Sequence, residues 1–482
     1  MTKSLHTIAH TLFQPSQEIP DISISGIKLN SSQVKKGDLF IAISGTKLDG
    51  HDFIQDAIDS GANAVISNGR DVGELSVPQI KVANPRRATS IVSAEYYGHP
   101  TKDLTVIGIT GTNGKTTTAS IIYSILTQAG IKTAQLGTLG MIADGFEQNA
   151  TLTTPDAISL QKTFSELRDA DFSHIVMEVS SHALDQYRVA DVDFNVAVFT
   201  NLTPEHLDYH ATLESYYQAK AKLFRMLPLE STAIVNGSDS NGLRMAEETN
   251  APTLTFSRSN ETSIHYNDLT ISISGISGKI SAGNFSYTIQ SSLMGEFNAE
   301  NIIAAVSIAH ALGVEKNDIE KGVAHCSVIP GRMESYSLSS GATAIIDYAH
   351  TPDAYEKVLG TLKEMLDDNS NLFVVFGAGG DRDSTKRPEM ARISEIFSSH
   401  CFITPDNPRF EDPTQISNEI VSGFTGKTFS IYSSREEGLK QALKRATQND
   451  IVAVLGKGRE EYQDILGNKE FYSDLEIIRK YQ

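Results

Sequence analysis

Cysteine is nearly absent: the 482 residues contain two, Cys326 and Cys401. Two isolated thiols make neither a disulfide framework nor a thiolate metal site, and both read as core or surface thiols of a reducing compartment. Positive charge is also short, with 41 Lys and Arg against 59 Asp and Glu and a net charge of −18. That balance excludes a nucleic-acid partner, which needs a basic face. It leaves room for small anionic substrates held by local Lys and Arg. No apolar run approaches the ~18 residues of a membrane span. The opening MTKSLHTIAHTLF has no signal-peptide core. Repeats and low-complexity tracts are missing too. A cytoplasmic protein with no membrane insertion is expected.

What is present is an ordinary globular composition, 40% hydrophobic, long enough for about three domains at ~150 residues each. Its most informative stretch is Val106–Thr118, VIGITGTNGKTTT. A β-branched run ends in a Gly-rich turn, and a helix-forming segment (Ala119–Leu126) follows. Strand, turn and helix together let backbone N–H groups and a helix N-terminus cradle phosphates. In this setting Gly111, Thr112, Asn113, Gly114 and Thr117 line the loop, Lys115 reaches the outer phosphates and the Thr116 hydroxyl serves Mg²⁺. The spacing G-T-N-G-K-T is shorter than the usual phosphate loop, so the flanking strand and helix carry much of the inference.

The fold class is α/β in three domains. Residues 1–98 read as a small α/β module with strands at Asp38–Ile43 and Ala64–Ile66 and a helix at Phe53–Ser60. Ala94–Lys102 reads as a linker. Residues 99–331 alternate apolar strands (Val106–Thr110, His174–Val179, Val196–Thr200, Ala233–Asn236) with helices, which predicts a mostly parallel P-loop sheet. Ile264–Leu293 alternates apolar and polar residues and predicts a small antiparallel sheet, attached or inserted. A helix is expected at Ala299–Leu312. Residues 332–482 read as a Rossmann-like, doubly wound domain with strands at Ala344–Tyr348, Phe373–Phe376, Phe402–Thr404 and Ile451–Leu455. Ligands in such sheets sit beyond the carboxyl ends of strands, and the polar loops fall there.

Glu178 ends an apolar strand, where an acidic Mg²⁺ partner of a P-loop belongs. In NLTPEHLDYH, Glu205, His206, Asp208 and His210 read equally as metal ligands or as a polar helix start. Lys220 and Lys222 follow on a helix, and the residues alone do not choose a catalytic lysine. The loops GAGGDRD (with Arg382), DNPR (Asp406, Asn407, Pro408, Arg409) and GKGRE (Gly456 to Glu460) each follow a strand. Their arginines suit a substrate carboxylate and their acids its ammonium.

Taken together, GTNGKT, MEVSSHALDQYRV, TNLTPEHLDYH, AKAKLF, GEFNAEN, PGRME, DYAHTPDA, GAGGDRD, DNPR and GKGREEYQ resemble the Mur ligase family over essentially the whole chain. The resemblance implies an ATP-dependent amide ligase of peptidoglycan synthesis. Its substrates would be UDP-MurNAc-L-Ala-D-Glu and meso-diaminopimelate, joined through an acyl phosphate. It implies ATP and Mg²⁺ as cofactors and small molecules as partners, with the chain acting as a monomer. By resemblance, Asn298, Asn301, Arg332, Asp347 and His350 join the P-loop around ATP. Thr116, Glu178, His206 and Lys220, the last as a carbamate, serve the metal; Lys115, His206 and Lys220 are the catalytic set. Thr153, Thr154, Ser180, Gln186 and Arg188 match the UDP-muramoyl-dipeptide site. Ser31, with Gly45 to His51, matches the uridine module. Arg382, Asp406, Asn407, Pro408, Arg409, Gly456 and Glu460 match the diaminopimelate pattern. The physical discriminator is Arg409, which can clamp the second carboxylate that lysine lacks and would face lysine's ammonium instead.

Three positions depart from the family pattern. Asn30-Ser31-Ser32 lacks the usual uridine-side arginine at Ser32, Arg459 stands for a His, and Ala211 for a common Gly. The competing readings are an L-lysine-adding or folate-type ligase, and a P-loop protein that binds nucleotide without ligating.

Overall fold

The computed structural model describes residues 2–12, 20–45, 48–146, 152–272 and 275–482. Thr46 and Lys47, part of the expected uridine segment, lie outside them. Among the described residues the strands form three main sheets. Gly26–Lys28, Asp38–Ile41, Ala64–Ser67 and Gln79–Lys81 pair in parallel, in chain order. The helix Pro85–Tyr97 covers one face through Ala88, Val92 and Tyr96, and Ile54–Asp59 covers the other through Ile54 and Ala57.

The central sheet has Thr105–Thr110 in its middle, between Val196–Phe199 and His174–Glu178, all parallel. Both faces are covered, which is why these strands read as continuous apolar runs. Val106 packs with Ile175 and Met177 on one side; Ile107 and Ile109 pack with Val176 on the other. The strands Ile264–Ser272, Gly275–Ala282 and Phe285–Ser291 are antiparallel to one another, as the alternation predicts. They continue the same sheet, because Ile264–Ser272 pairs in parallel with Thr253–Ser257. The helix Glu296–Ala311 begins three residues before the expected start.

The third sheet runs Glu334–Ser337, Thr343–Asp347, Ile451–Leu455, Leu372–Phe376, His400–Ile403, Phe429–Ile431. All but the first are parallel, so the loops after them gather at one edge. A hairpin, Tyr462–Ile465 with Asn468–Phe471, stands beside that edge. One expectation fails. Ala94–Tyr97 is the last turn of a helix rather than linker, and the helix ends because Gly98 adopts φ 76° and returns its N–H to the last turn. Both cysteines are buried and unpaired. No helix of the described residues is long and apolar enough to cross a membrane.

Candidate active site

The strand Thr105–Thr110 delivers the loop Gly111–Gly114, and the helix Lys115–Gln128 leaves from it. Two glycines are required by space. A Cβ on Gly111 would lie 1.9 Å from Thr200 Oγ1, and one on Gly114, at φ +88°, 2.3 Å from Asn301 Oδ1. The Lys115 ammonium folds back on its own loop and donates to the carbonyls of Gly111 (2.9 Å) and Thr112 (2.7 Å). Asn201 fixes the loop from the neighbouring strand end, accepting from the Asn113 N–H and donating to its carbonyl.

Beside the loop, Glu178 is buried at its strand end. One oxygen accepts from the Thr138 N–H (2.8 Å), the other from the hydroxyls of Thr116 (3.0 Å) and Thr138 (3.2 Å). Arg332 donates to Thr116 Oγ1 at 3.1 Å from the far side of the cleft. The Lys220 amine is buried and donates to Gly111 O at 2.7 Å, so two lysine amines share one carbonyl. Burial, and then the Lys115 charge, push the Lys220 amine well below its ordinary range. His206 takes a left-handed backbone, φ 57°, and packs edge-on against His182 with ring centres 4.9 Å apart. Burial holds the His206 ring down at about 3, against the pull of Glu205. Burial raises Glu205, but the bond from His350 and the charges of His350, His206 and Lys115 outweigh it, so its carboxyl ends well below the usual range. His350 Nε2 lies 3.0 Å from Glu205 Oε1 and so joins the third sheet to the second.

Among the described residues no three His, Cys, Asp or Glu side chains converge on one metal position. The oxygen donors Thr116 and Glu178 suit Mg²⁺, a hard cation. Lys220 fits the set only if its sign reverses. A carbamate would do that, and the downward shift of the amine favours the neutral form that reacts with CO₂.

A cleft opens between the central and third sheets. It brings together Asn113, Gly114, Thr117, Asn301, Arg332, Asp347 and His350. Asn298 orients Asn301, accepting from its amide at 3.1 Å. Asp347 accepts from the Met333 and Ala349 N–H groups, each at 2.7 Å. Asn113 also bonds Asp353 across the cleft at 2.8 Å. The apolar wall of Phe297, Ala354 and Val358, with Glu300 and Lys357, was not foreseen. Its signal was faint: Phe297 lies within GEFNAEN, but the others are ordinary helix residues.

The five residues matched to the dipeptide site form one network. Thr154 Oγ1 donates to Glu178 O (2.8 Å) and accepts from the Ser180 N–H (3.0 Å). Arg188 donates to Thr154 O (2.9 Å) and to Gln186 Oε1 (2.8 Å), and Thr153 meets Thr138 at 3.3 Å. Ser31 stands apart in the first sheet's module. Asn30 Oδ1 accepts from both the N–H and the hydroxyl of Ser32, so Asn30 caps the short turn and the serine in the arginine's place is spent on that cap. Arg87 ties that module to the central one through Asp191.

The loops matched to the amino-acid pattern meet at the edge of the third sheet. Asn407 Nδ2 donates to Glu460 Oε2 at 2.8 Å. Lys457, fully buried, donates to Asn407 Oδ1 (3.0 Å) and Glu460 Oε2 (3.1 Å). A Cβ on Gly456 would meet Asp406 Oδ2 at 2.6 Å. Arg409 also takes a left-handed backbone, φ 51°. Its N–H donates to Asp464 O (2.9 Å), its carbonyl accepts from Leu466 N (2.8 Å), and Nη1 donates to Gly380 O (2.6 Å). The hairpin therefore holds the DNPR loop. Arg382 is exposed on the GAGGDRD loop. Arg459, in place of a His, grips Glu334 with bonds of 2.8 and 2.6 Å.

Known proteins show the same three-part pattern. Residues 23–97 match the model of the Mur ligase family catalytic domain, 109–309 the Mur ligase middle domain, and 331–458 the Mur ligase glutamate ligase domain. A UDP-N-acetylmuramoyl-L-alanyl-D-glutamate–2,6-diaminopimelate ligase of Aquifex aeolicus is 40% identical over 458 residues, 95% of this chain and 93% of that one. The Bacillus velezensis ligase of the same name is 38% identical, over 98% and 96%. A solved structure of a ligase of that name aligns with a TM-score of 0.70 at 32% identity, covering 100% and 99% of the two chains.

Proposed function

The chain belongs to the Mur ligase family, and on that premise we propose that it joins meso-2,6-diaminopimelate to the D-glutamate of UDP-MurNAc-L-Ala-D-Glu, using ATP, in cytoplasmic peptidoglycan synthesis. The observation that carries this reading is the edge of the third sheet. There Arg409, Asn407 and Glu460 are held in one bonded loop cluster, with Arg332 of the nucleotide cleft on the same chain segment as Glu334, the partner of Arg459. Residues 1–98 would hold the uridine end, 99–331 the ATP and the dipeptide, and 332–482 the amino acid.

A carboxylate is a poor electrophile, so it must first become an acyl phosphate. The glutamate oxygen takes the γ-phosphoryl group as its bond to ADP breaks. Lys115 leaves the carbonyls of Gly111 and Thr112 and follows the charge that develops on the phosphoryl oxygens. Asn301 from the central sheet's side, and Arg332, Asp347 and His350 from the third sheet, fix the nucleotide, and Phe297 and Val358 enclose its base. Thr154, Ser180, Gln186 and Arg188 present the dipeptide beside Glu178. Mg²⁺, held by Thr116, Glu178, His206 and carbamylated Lys220, would neutralise phosphate charge when bound. The diaminopimelate amine then attacks the acyl carbon and phosphate leaves. Arg409 clamps the far carboxylate, Glu460 takes the far ammonium, and Arg382 and Asp406 complete the pocket. Orienting both reactants converts a collision into an intramolecular step.

The test is phosphate release from ATP with UDP-MurNAc-L-Ala-D-Glu and Mg²⁺, comparing meso-diaminopimelate with L-lysine and weighing the product by mass spectrometry. Turnover with diaminopimelate alone is expected. Turnover with lysine alone would overturn the assignment of Arg409, and turnover with neither would overturn the ligase reading.

A further inference from the structure

Tyr348 lines the nucleotide cleft and also reaches the amino-acid loops. It follows the strand Thr343–Asp347. Its hydroxyl donates to Glu460 Oε1 at 3.1 Å. Its ring lies under the Arg332 guanidinium, 5.1 Å from carbon to ring centre, and Arg332 in turn reaches Thr116 Oγ1. The ring is also packed against backbone. A Cβ on Gly458, at φ +53°, would lie 2.7 Å from Tyr348 Cδ2, so only glycine lets that backbone pack so closely.

The hydrogen-bond capacity of Glu460 sharpens the point. A carboxylate oxygen accepts about two bonds. Oε2 already takes Asn407 Nδ2 and Lys457 Nζ. Among the described residues Oε1 takes only the Tyr348 hydroxyl. An arriving ammonium therefore enters at Oε1, beside that hydroxyl. The amine that attacks the acyl phosphate must be neutral, so it is no lasting partner for a carboxylate. The far amine of diaminopimelate stays charged and is.

We propose that Tyr348 is a positioning residue joining the amino-acid pocket to the nucleotide cleft: its hydroxyl aims Glu460 Oε1 at the far ammonium, and its ring supports Arg332. The inference rests on the amino-acid-binding role proposed for Glu460. Burial raises the Tyr348 phenol, which keeps it a donor throughout the working range.

The two ends of the side chain are separable. Tyr348→Phe removes the hydroxyl and keeps the ring; Tyr348→Leu removes both. Each variant is compared with the unaltered enzyme on meso-diaminopimelate and on L-2-aminopimelate, which keeps the far carboxylate and lacks the far amine. The second compound is read as a substrate or as a competitive inhibitor. Tyr348→Phe is expected to raise the diaminopimelate KM about tenfold, with the ATP KM and the aminopimelate constant within about twofold. Tyr348→Leu is expected to raise the ATP KM as well. An unchanged diaminopimelate KM in the Phe variant, or an equal loss on both amino acids, would overturn the proposal, since a merely structural tyrosine does not distinguish them. If the unaltered enzyme turns over no diaminopimelate, the proposed function fails first and takes this inference with it.

Discussion

Replacing Arg409 separates recognition from folding, because two different features meet at that residue. Its side chain is a quarter exposed, and its backbone is left-handed at φ 51°. The planar guanidinium can hold the far carboxylate with two charge-assisted bonds. Their loss in a partly shielded pocket is worth about 3 kcal/mol, or roughly 150-fold in kcat/KM for diaminopimelate. L-Lysine gains instead, since its terminal ammonium no longer meets a cation. The preference for diaminopimelate should therefore collapse by about 100-fold or more in both Arg409→Ala and Arg409→Gly. The two variants differ in the backbone alone. Glycine accepts a positive φ that costs alanine about 1 kcal/mol, so Arg409→Gly should melt about 1 °C above Arg409→Ala. Phosphate release with each amino acid and thermal unfolding measure both quantities. Should the ATP KM rise in step with that of diaminopimelate, or the substrate ratio stay fixed, the clamp is wrong.

Lys115→Ala should lower phosphate release about 10³-fold or more with little change in melting temperature, since among the described residues the ammonium donates hydrogen bonds only to the loop's own carbonyls and its removal also relieves its repulsion of Lys220. Ala211 sits at φ 62°, and Ala211→Gly should stabilise the protein by about 1 kcal/mol in urea unfolding. Arg435 and Asp474 are buried together, bonded at 2.9 Å, so Arg435→Ala should cost about 3–5 kcal/mol by leaving an unpaired acid. Burial, then the His210 ring and Arg188, hold His182 down at about 4. The folded state binds fewer protons there than the unfolded one, so this contribution is full above the ordinary 6.5 and fades as pH falls toward 4. His182→Gln should flatten the fall in melting temperature across that window.

The parts legible in sequence were those whose chemistry is local. The run VIGIT before GTNGKT announced the central strand and its loop, and Glu178 stood at a strand end as apolar residues before it required. Ala211 already read as a departure from glycine, and the left-handed backbone there supplies the reason. The rest depends on where separate elements land. Nothing in the sequence sets Glu205 against His350, Asn113 against Asp353, or the hairpin at Tyr462 against Arg409. The first two pairs form only when the central and third sheets are placed together, and the last only when the hairpin folds back on the third sheet's edge. AEYY before Gly98 misled because Gly and Pro punctuate helix ends as well as linkers. Arg459 looked like a loss of histidine, and the compensating Glu334 lies 125 residues away.

The proposed nucleotide cradle is divided between two sheets. Asn113 and Thr116 come from one, Asp353 and Arg332 from the other side of the cleft, and the chain passes between the sheets only once, after the helix Lys316–His325 and before the strand Glu334–Ser337. Were the peptide cut there, neither fragment would own a whole cradle. The nucleotide would then act as an adhesive, drawing the pieces together by the same factor by which their union tightens its own hold.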